Sequence, residues 1–507
     1  MNFWLLLLLG LLTYIILQRS VPRITRTPIW ILWLVMMTPA SILTIWALVY
    51  GEDANLPAIL AIGPFAICFV LYWWLVQRGR VSPKESQTSQ TPETAPATVK
   101  MTPDPNAEPS PQPQPKTIDR EEEGQLRDCF PWSVYYLRNL EYRPQAVVCR
   151  GQLRTNPDRA YQTIQENIAK KFGDRFLVVF QEGLYAKQPF FILVPNPQTT
   201  SKKLEESEAT TRPLFALGLL LITLFTTTVS GAIFAGIDEV ALRDDAAQLW
   251  QGLSYSLPLI AILGVHEFGH YFAARWHQIR VTLPYFIPFP FFLGTIGAFT
   301  QMRSPIPDRK ALFDVSIAGP LAGLVISIPV FIWGLLQSAI VPLSGLENPE
   351  TAGLLNFDAL TPQFSLLLSV VSKLALGDAL NADMAIDLHP AAIAGYLGLI
   401  LTAFNLLPVG QLDGGHMVHA MFGQRTALGI AQVTRLLMLV LALLYSDRRE
   451  LLFGAIVLFL MPIRDEPALN DVSELDNRRD FIGLMALALL AAILLPAPKI
   501  LTQALGF

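Results

Sequence analysis

The chain is built from long apolar runs separated by polar stretches. Three apolar runs come first: Phe3 to Leu17, Pro28 to Tyr50 and Leu56 to Val76. A second series follows at Pro213 to Gly236, Leu257 to Trp276, Leu312 to Trp333, Ala391 to Leu407, Leu428 to Tyr445, Leu451 to Ile463 and Phe481 to Leu495. A bilayer core takes about 20 apolar residues per helix, so these runs predict membrane helices, the Leu451 run being short for one. Val281 to Phe299 is equally apolar but is broken by Pro284, Pro288, Pro290, Gly294 and Gly297. Irregular backbone at membrane depth needs protein or a watery cavity to satisfy it, so a re-entrant or hairpin element beside a cavity is expected there.

Between the two series the pattern changes. Val81 to Gly124 is rich in Pro, Ser, Thr, Gln and Glu and nearly free of large apolar residues. It cannot bury enough surface to offset chain entropy and reads as a disordered linker. From Leu126 to Pro197 the pattern is globular. Asn156 suits an N-cap, Pro157 the first helical position and Gly173 the C-terminus of a helix whose Ala160, Ile164 and Ile168 share one face. Ala146 to Leu153, Phe176 to Phe180 and Phe190 to Val194 read as strands. The expected organisation is N-terminal transmembrane helices over 1–77, a disordered Pro-rich linker over 78–125, a small cytoplasmic α+β domain over 126–200 and a membrane core over 213–507. The fold class is an α-helical polytopic membrane protein with a small α+β soluble domain.

Composition agrees: 52% of residues are hydrophobic and 15% charged, where soluble domains carry about a quarter charged. A net charge of -4 gives no reason to expect nucleic acid. Cys68, Cys129 and Cys149 are far apart and form no C-x-x-C pair, so neither a zinc ribbon nor a disulfide scaffold is implied. The N-terminal run lacks a basic leader and a cleavage site and reads as an uncleaved helix. Arg19, Arg23 and Arg26 follow the first run, and Arg78, Arg80 and Lys84 follow the third. Basic loops favour the cytoplasm, which puts the N-terminus outside and the soluble domain inside. Arg275, Arg280, Arg303, Arg309 and Lys310 then also fall inside, while Arg448 and Arg449 go against the rule.

The chemistry is concentrated at His266-Glu267-Phe268-Gly269-His270, inside an apolar run. On a helix, positions i and i+4 share a face, so both imidazoles can reach one metal with Glu267 beside it. Zinc suits such ligands, keeps a position open for water and lowers the pKa of that water to about 7. Glu267 is placed to take the water proton and pass it to the leaving amine. Three ionisable groups at membrane depth are costly and mark a functional site. An interfacial helix end with satisfied histidines is the plainer alternative, but it does not account for Glu between two His at metal spacing. A third ligand is needed. Asn405 to His416 is the next polar cluster, and Asp413 is its only carboxylate, with His416 as the rival. His277, His389 and His419 read as interfacial or hydrogen-bonded residues, and Asp314 as a paired residue without a role.

The H-E-x-x-H of His266 to His270, paired with N-x-x-P-x-x-x-x-D-G at Asn405 to Gly414, resembles the site-2 protease family of intramembrane zinc metalloproteases, the M50 peptidases. Gly294-Thr-Ile-Gly-Ala-Phe299 and the preceding globular domain resemble its cyanobacterial and chloroplast branch. The resemblance covers Pro213 to Phe507. It implies one zinc ion per chain on His266, His270 and Asp413, Glu267 as general base, and Asn405 as a stabiliser of substrate backbone or oxyanion. Many members have a second proline where this chain has Gly410, which leaves the local backbone path open. The implied activity is a zinc metalloendopeptidase acting in or near transmembrane segments, as in regulated intramembrane proteolysis. The implied partners are membrane-protein substrates and the lipid bilayer, with no nucleic acid, in a bacterial plasma or thylakoid membrane. Membrane-tethered transcription regulators, such as anti-sigma factors, and photosynthetic membrane proteins are candidate substrates. Leu283 to Phe299 could pair with an unwound substrate by strand addition, or simply pack its aromatics against lipid. The competing functions are a transporter, whose inverted repeats are not seen, and an inactive scaffold, against which the retained site residues speak. The sequence specifies no oligomeric state.

Overall fold

A computed structural model describes residues 120–143, 146–183, 188–196, 213–290, 293–342, 357, 360–381, 383–444, 449–504 and 506, together with 28, 30–35, 37–38, 41–42, 64, 68, 71 and 75. Two compact units are present, Met1–Ser110 and Pro111–Phe507. In the first, residues 30–35, 37–38 and 41–42 are helical, inside the run expected to be the second span. The run Phe3 to Leu17, most of Leu56 to Val76 and most of the linker lie outside the described residues.

In the second unit the soluble part begins with α1 (Arg120–Asp128), whose Arg120–Gln125 part falls in the stretch expected to be linker. The reason is local and tertiary together. Glu121, Glu122 and Glu123 suit the positive N-terminal end of a helix. Arg127 pairs with Glu123 at 3.0 Å, and Leu126 is fully buried in the soluble core. Next come β1 (Tyr135–Arg143), β2 (Ala146–Leu153), α2 (Pro157–Phe172), β3 (Phe176–Glu182) and β4 (Pro189–Pro195). The strands form an antiparallel sheet of order β1-β2-β4-β3. Helix α2 starts as expected: the Asn156 side chain accepts from Asp158 N–H, and Gly173 caps the other end. Ala160, Ile164 and Ile168 are fully buried against the sheet. Phe180 stacks on Phe191 with centroids 4.1 Å apart, and the Tyr135 ring meets Phe191 edge-on at 5.0 Å.

The membrane core contains α3 (Pro213–Phe234), α4 (Leu253–Trp276), a hairpin of β5 (Tyr285–Pro288) and β6 (Thr295–Phe299), and α5 (Arg309–Leu335). After these come β7 (Ala339–Pro342), α6 (Leu366–Leu376), β8 (Met384–Asp387), α7 (Pro390–Leu406), α8 (Asp413–Leu444), α9 (Arg449–Leu460) and α10 (Asn477–Leu494). Among the described residues four helices are long and apolar enough to cross a bilayer: Pro213–Phe234, Ala246–Trp276, Arg309–Leu335 and Asp413–Ala442. The protein is therefore a multi-pass integral membrane protein. Two expected spans coincide with helices of modest length among the described residues. Helix α9 has 12 residues, a rise of about 18 Å that falls short of the hydrocarbon core. Helix α10 has 18 but opens on Arg478, Arg479 and Asp480. Helix α8 is broken at Gly423, whose φ of 78° separates a short first segment from the expected run.

Helices α4, α5 and α7 form the centre, and α7 is buried along most of its length. Between membrane helices there is little hydrophobic driving force, so close backbone approach matters. Gly334 of α5 lies against the Ala392 backbone of α7, and Gly395 of α7 against the Phe331 backbone of α5, each with no room for a Cβ. Ser327 and Thr402 satisfy their buried hydroxyls within their own helices, on Gly323 O at 2.7 Å and Gly398 O at 2.8 Å.

The broken apolar stretch is a hairpin, as expected. It pairs Phe286 with Ala298 and Ile287 with Gly297. Its turn is held at membrane depth by side chains: Thr226 Oγ1 of α3 donates to Gly294 O at 2.7 Å, and Tyr255 Oη of α4 to Leu293 O at 3.0 Å. A second junction ties the soluble sheet to the core. The Phe180 N–H of β3 donates to Leu469 O at 2.7 Å, and Asp471 N–H returns to Phe180 O at 2.9 Å. On its other edge this segment donates from Leu469 to Ile306 O and from Asn470 to Pro307 O, both at 2.9 Å. The soluble domain thus sits at the α5 N-terminus, on the same face as Arg309 and Lys310.

Candidate metal centre and active site

His266 and His270 are one turn apart on α4, and their Nε2 atoms are 3.2 Å apart. Asp413 arrives from the start of α8, with Oδ2 3.7 Å from His266 Nε2 and 3.4 Å from His270 Nε2. Tetrahedral zinc with bonds of about 2.0–2.1 Å sets neighbouring ligand atoms roughly 3.3 Å apart. The three ligand atoms all lie within 4.8 Å of one another, so the donor set fits a single zinc ion. His270 Nδ1 is 2.8 Å from Val315 O on α5. An Nδ1–H donated to that carbonyl leaves the Nε2 lone pair aimed at the metal position. Residues 319 and 323 of α5 face the two rings, and both are glycine.

The turn that delivers Asp413 explains the chain's departure at Gly410. Helix α7 ends at Leu406, and Gly410 takes φ 53° with the Pro462 carbonyl directly against it. Proline, fixed near φ -65°, cannot adopt this conformation. Glycine adopts it without a steric penalty.

Glu267 is 8% exposed and shares with the ligands a cavity of about 480 Å³. Its Oε2 accepts a hydrogen bond from Thr300 Oγ1 at 3.1 Å. Ala298, Phe299 and Thr300 form one wall, Asn405 and His416 another. Asn405 Nδ2 is 3.2 Å from His266 Nε2. All five residues expected at the site are therefore brought together. His416, the rival ligand, is engaged elsewhere. Its Nδ1 lies 2.6 Å from Asp465 Oδ1, an ion-pair contact without hydrogen-bond angles, and it stands outside the triad.

The other histidines are partnered. His277 Nε2 contacts Asp314 at 2.9 Å, and His389 Nδ1 caps α7 by accepting from Ala391 N–H. His419 lies between Asp465 and Asp471. Asp314 pairs with His277 and Arg479, which also contacts Asp476. Thr300, Asp465, Asp471 and Arg309 were not legible as partners of this region. Each lies far along the chain from what it touches, and no spacing rule connects them.

A buried H-E-x-x-H pair completed by a distant aspartate, among membrane helices, defines an intramembrane zinc metalloprotease. The comparisons with known proteins agree. Residues 254–445 match the model of peptidase family M50, and residues 124–201 match the EGY3 middle domain. The chain is 30% identical over 392 residues to the probable zinc metalloprotease EGY1, chloroplastic, of Arabidopsis thaliana, covering 71% of this chain and 68% of that protein. It is 31% identical over 384 residues to the corresponding protein of Oryza sativa subsp. japonica, covering 71% and 64%. It is 28% identical over 370 residues to the probable zinc metalloprotease EGY2, chloroplastic, of Arabidopsis thaliana, covering 73% and 63%. The chain thus spans about two thirds of the length of these relatives. No solved structure matches. The chain belongs to peptidase family M50.

Proposed function

We propose that this enzyme hydrolyses peptide bonds in or near the transmembrane segments of membrane proteins, with Glu267 as general base and Asn405 as a donor to the substrate. One observation carries the reading: ligand atoms of His266, His270 and Asp413 converge in a cavity that also holds Glu267 and the hairpin edge. When bound, zinc supplies Lewis acidity that makes a water acidic near neutral pH.

Glu267 then removes the proton as the water oxygen bonds the scissile carbonyl carbon. It passes that proton to the amide nitrogen as the C–N bond breaks. Thr300 fixes one Glu267 oxygen, leaving the other for this transfer. The Asn405 amide, now on His266 Nε2, is within the same cavity and can donate to the carbonyl oxygen as charge gathers there. A membrane helix hides its amides in its own hydrogen bonds and must unwind to be cut. The β6 edge borders the cavity and offers backbone groups for strand addition. An apolar recess of about 440 Å³ among α3, α4 and β5, lined by Leu220, Val265, Phe268 and Phe286, suits a membrane-embedded substrate. Membrane-tethered transcription regulators and photosynthetic membrane proteins are the substrate classes we favour. Comparative proteomics of a deletion strain, scored for missing membrane fragments, distinguishes them.

The test compares native protein with Glu267→Gln in nanodiscs, measuring zinc content and cleavage of a model transmembrane substrate. The variant is expected to keep zinc and to cleave at least about 100-fold more slowly. Equal cleavage rejects the role of Glu267. Zinc-free, inactive native protein favours a transporter. Substrate crosslinks that avoid residues 282–299 remove strand addition.

A further inference from the structure

A buried ionic network borders the catalytic cavity, which Asp465 helps to line, and the proposed chemistry does not use it. Its members Arg309, His419, Asp465 and Asp471 are between 0% and 8% exposed. Arg309 Nε donates to Asp471 Oδ1 at 3.2 Å. His419 Nε2 lies 3.0 Å from the same oxygen, and His419 Nδ1 2.6 Å from Asp465 Oδ2. The other Asp465 oxygen meets His416, which is one turn past Asp413 on α8. Buried charges are tolerated only when paired. Arg309 and His419 face Asp471, and His419 and His416 face Asp465, so each carboxylate has basic partners.

Asp471 joins this network to the soluble domain. Its backbone N–H donates to Phe180 O of β3, and its neighbour Val472 is packed in the soluble core. Its carboxylate holds the first turn of α5 and the middle of the first α8 segment. Those two helices support the metal position. Helix α5 supplies the Val315 carbonyl that orients His270, and α8 begins at Asp413. A shift of β3 relative to residues 469–471 therefore pulls on both supports at once.

We infer that Asp471 is a positioning residue that clamps the soluble domain to the metal centre, so that docking of β3 and zinc binding strengthen each other. The inference rests on the zinc reading of His266, His270 and Asp413. Coupling of this kind is reciprocal: whatever factor docking adds to zinc affinity, zinc adds to docking.

The experiment uses the full chain in nanodiscs. Zinc stoichiometry of the native protein is measured first; absence of zinc overturns the metal reading, and the clamp with it. Amide hydrogen exchange is then followed at residues 176–182 and 469–472, zinc-loaded and chelator-stripped. Zinc is expected to slow exchange there by a factor between about 5 and 150. In Asp471→Asn the slowing disappears, and zinc affinity by chelator competition falls by a similar factor. Residues 160–168 of α2 should keep their protection, showing that the soluble domain is still folded. His419→Gln cuts the same link one step inward and should behave alike. The d–d spectrum of the cobalt-substituted native protein should change in both variants. Identical exchange of the native protein with and without zinc overturns the proposal. So does native zinc affinity in both variants.

Discussion

Gly319 faces the ring of His270 so closely that a Cβ there would overlap Nε2, the nitrogen presented to the metal position. The metal-binding helix α4 and its neighbour α5 are in contact at a place where any side chain on α5 would displace a ligand. Gly319→Ala is therefore expected to lower zinc affinity by about 10–100-fold, the range seen when the support of a metal ligand is disturbed. Gly323→Ala, whose Cβ would meet His266 Nδ1 at 3.1 Å, should do so more mildly. Zinc retained at native affinity in Gly319→Ala would show that the ring is free to move aside.

Thr300 reaches Glu267 from the strand side, at 3.1 Å. Thr300→Val keeps the shape and removes the donor. A hydrogen bond to a charged group is worth about 1.5–3 kcal/mol, so kcat should fall by roughly ten-fold or more with zinc content unchanged. Steady-state cleavage with parallel metal analysis checks this. An unchanged kcat would mean that Glu267 is oriented by something else.

Asp413 and His416 are three residues apart but face different partners. Asp413→Asn should reduce zinc to well below one per chain, and His416→Gln should leave the stoichiometry near one. The reverse result, read by elemental analysis of purified protein, would exchange their roles.

Asp465 provides a pH test outside the spanning helices. Burial alone pushes its carboxyl up, but His416 and His419 at its two oxygens overcome this and hold it down at about 2. The unfolded value is about 3.9, so the folded pKa is depressed. Its contribution to stability is complete above about pH 4 and is lost as pH falls through about 2. Asp465→Asn should cost about 3–5 kcal/mol at neutral pH, the usual loss on breaking a buried ion pair. The difference in Tm between variant and native protein should shrink between pH 4 and 2. A gap independent of pH across that window would contradict the assignment.

Much of this was legible in one dimension because the signals are local. A helix brings i and i+4 together whatever surrounds it, so His266, Glu267 and His270 declared themselves. Asn156, Pro157 and Gly173 marked α2 because capping is satisfied within a few residues. Prolines and glycines broke the run 281–299 into a hairpin for a similarly local reason. The Arg120–Gln125 part of helix α1 falls in the expected linker because it is almost wholly polar, and it continues into Leu126, which is buried in the soluble core. Helices α9 and α10 fall on expected apolar runs because hydrophobicity is visible in the sequence, while their exact ends are set by capping and packing.

The sequence by itself determined the class of solvent, the pair of imidazoles with its glutamate, and the aspartate that could join them. Hydrophobicity, helical periodicity and ligand chemistry are properties of residues and their near neighbours. Tertiary structure decided that Asp413 rather than His416 closes the triad, that Thr300 holds Glu267, and that Asp471 ties a soluble sheet to two membrane helices. Those relationships join positions far apart along the chain, and they arise from how helices pack and where a turn at Gly410 sends the backbone, which no local pattern encodes.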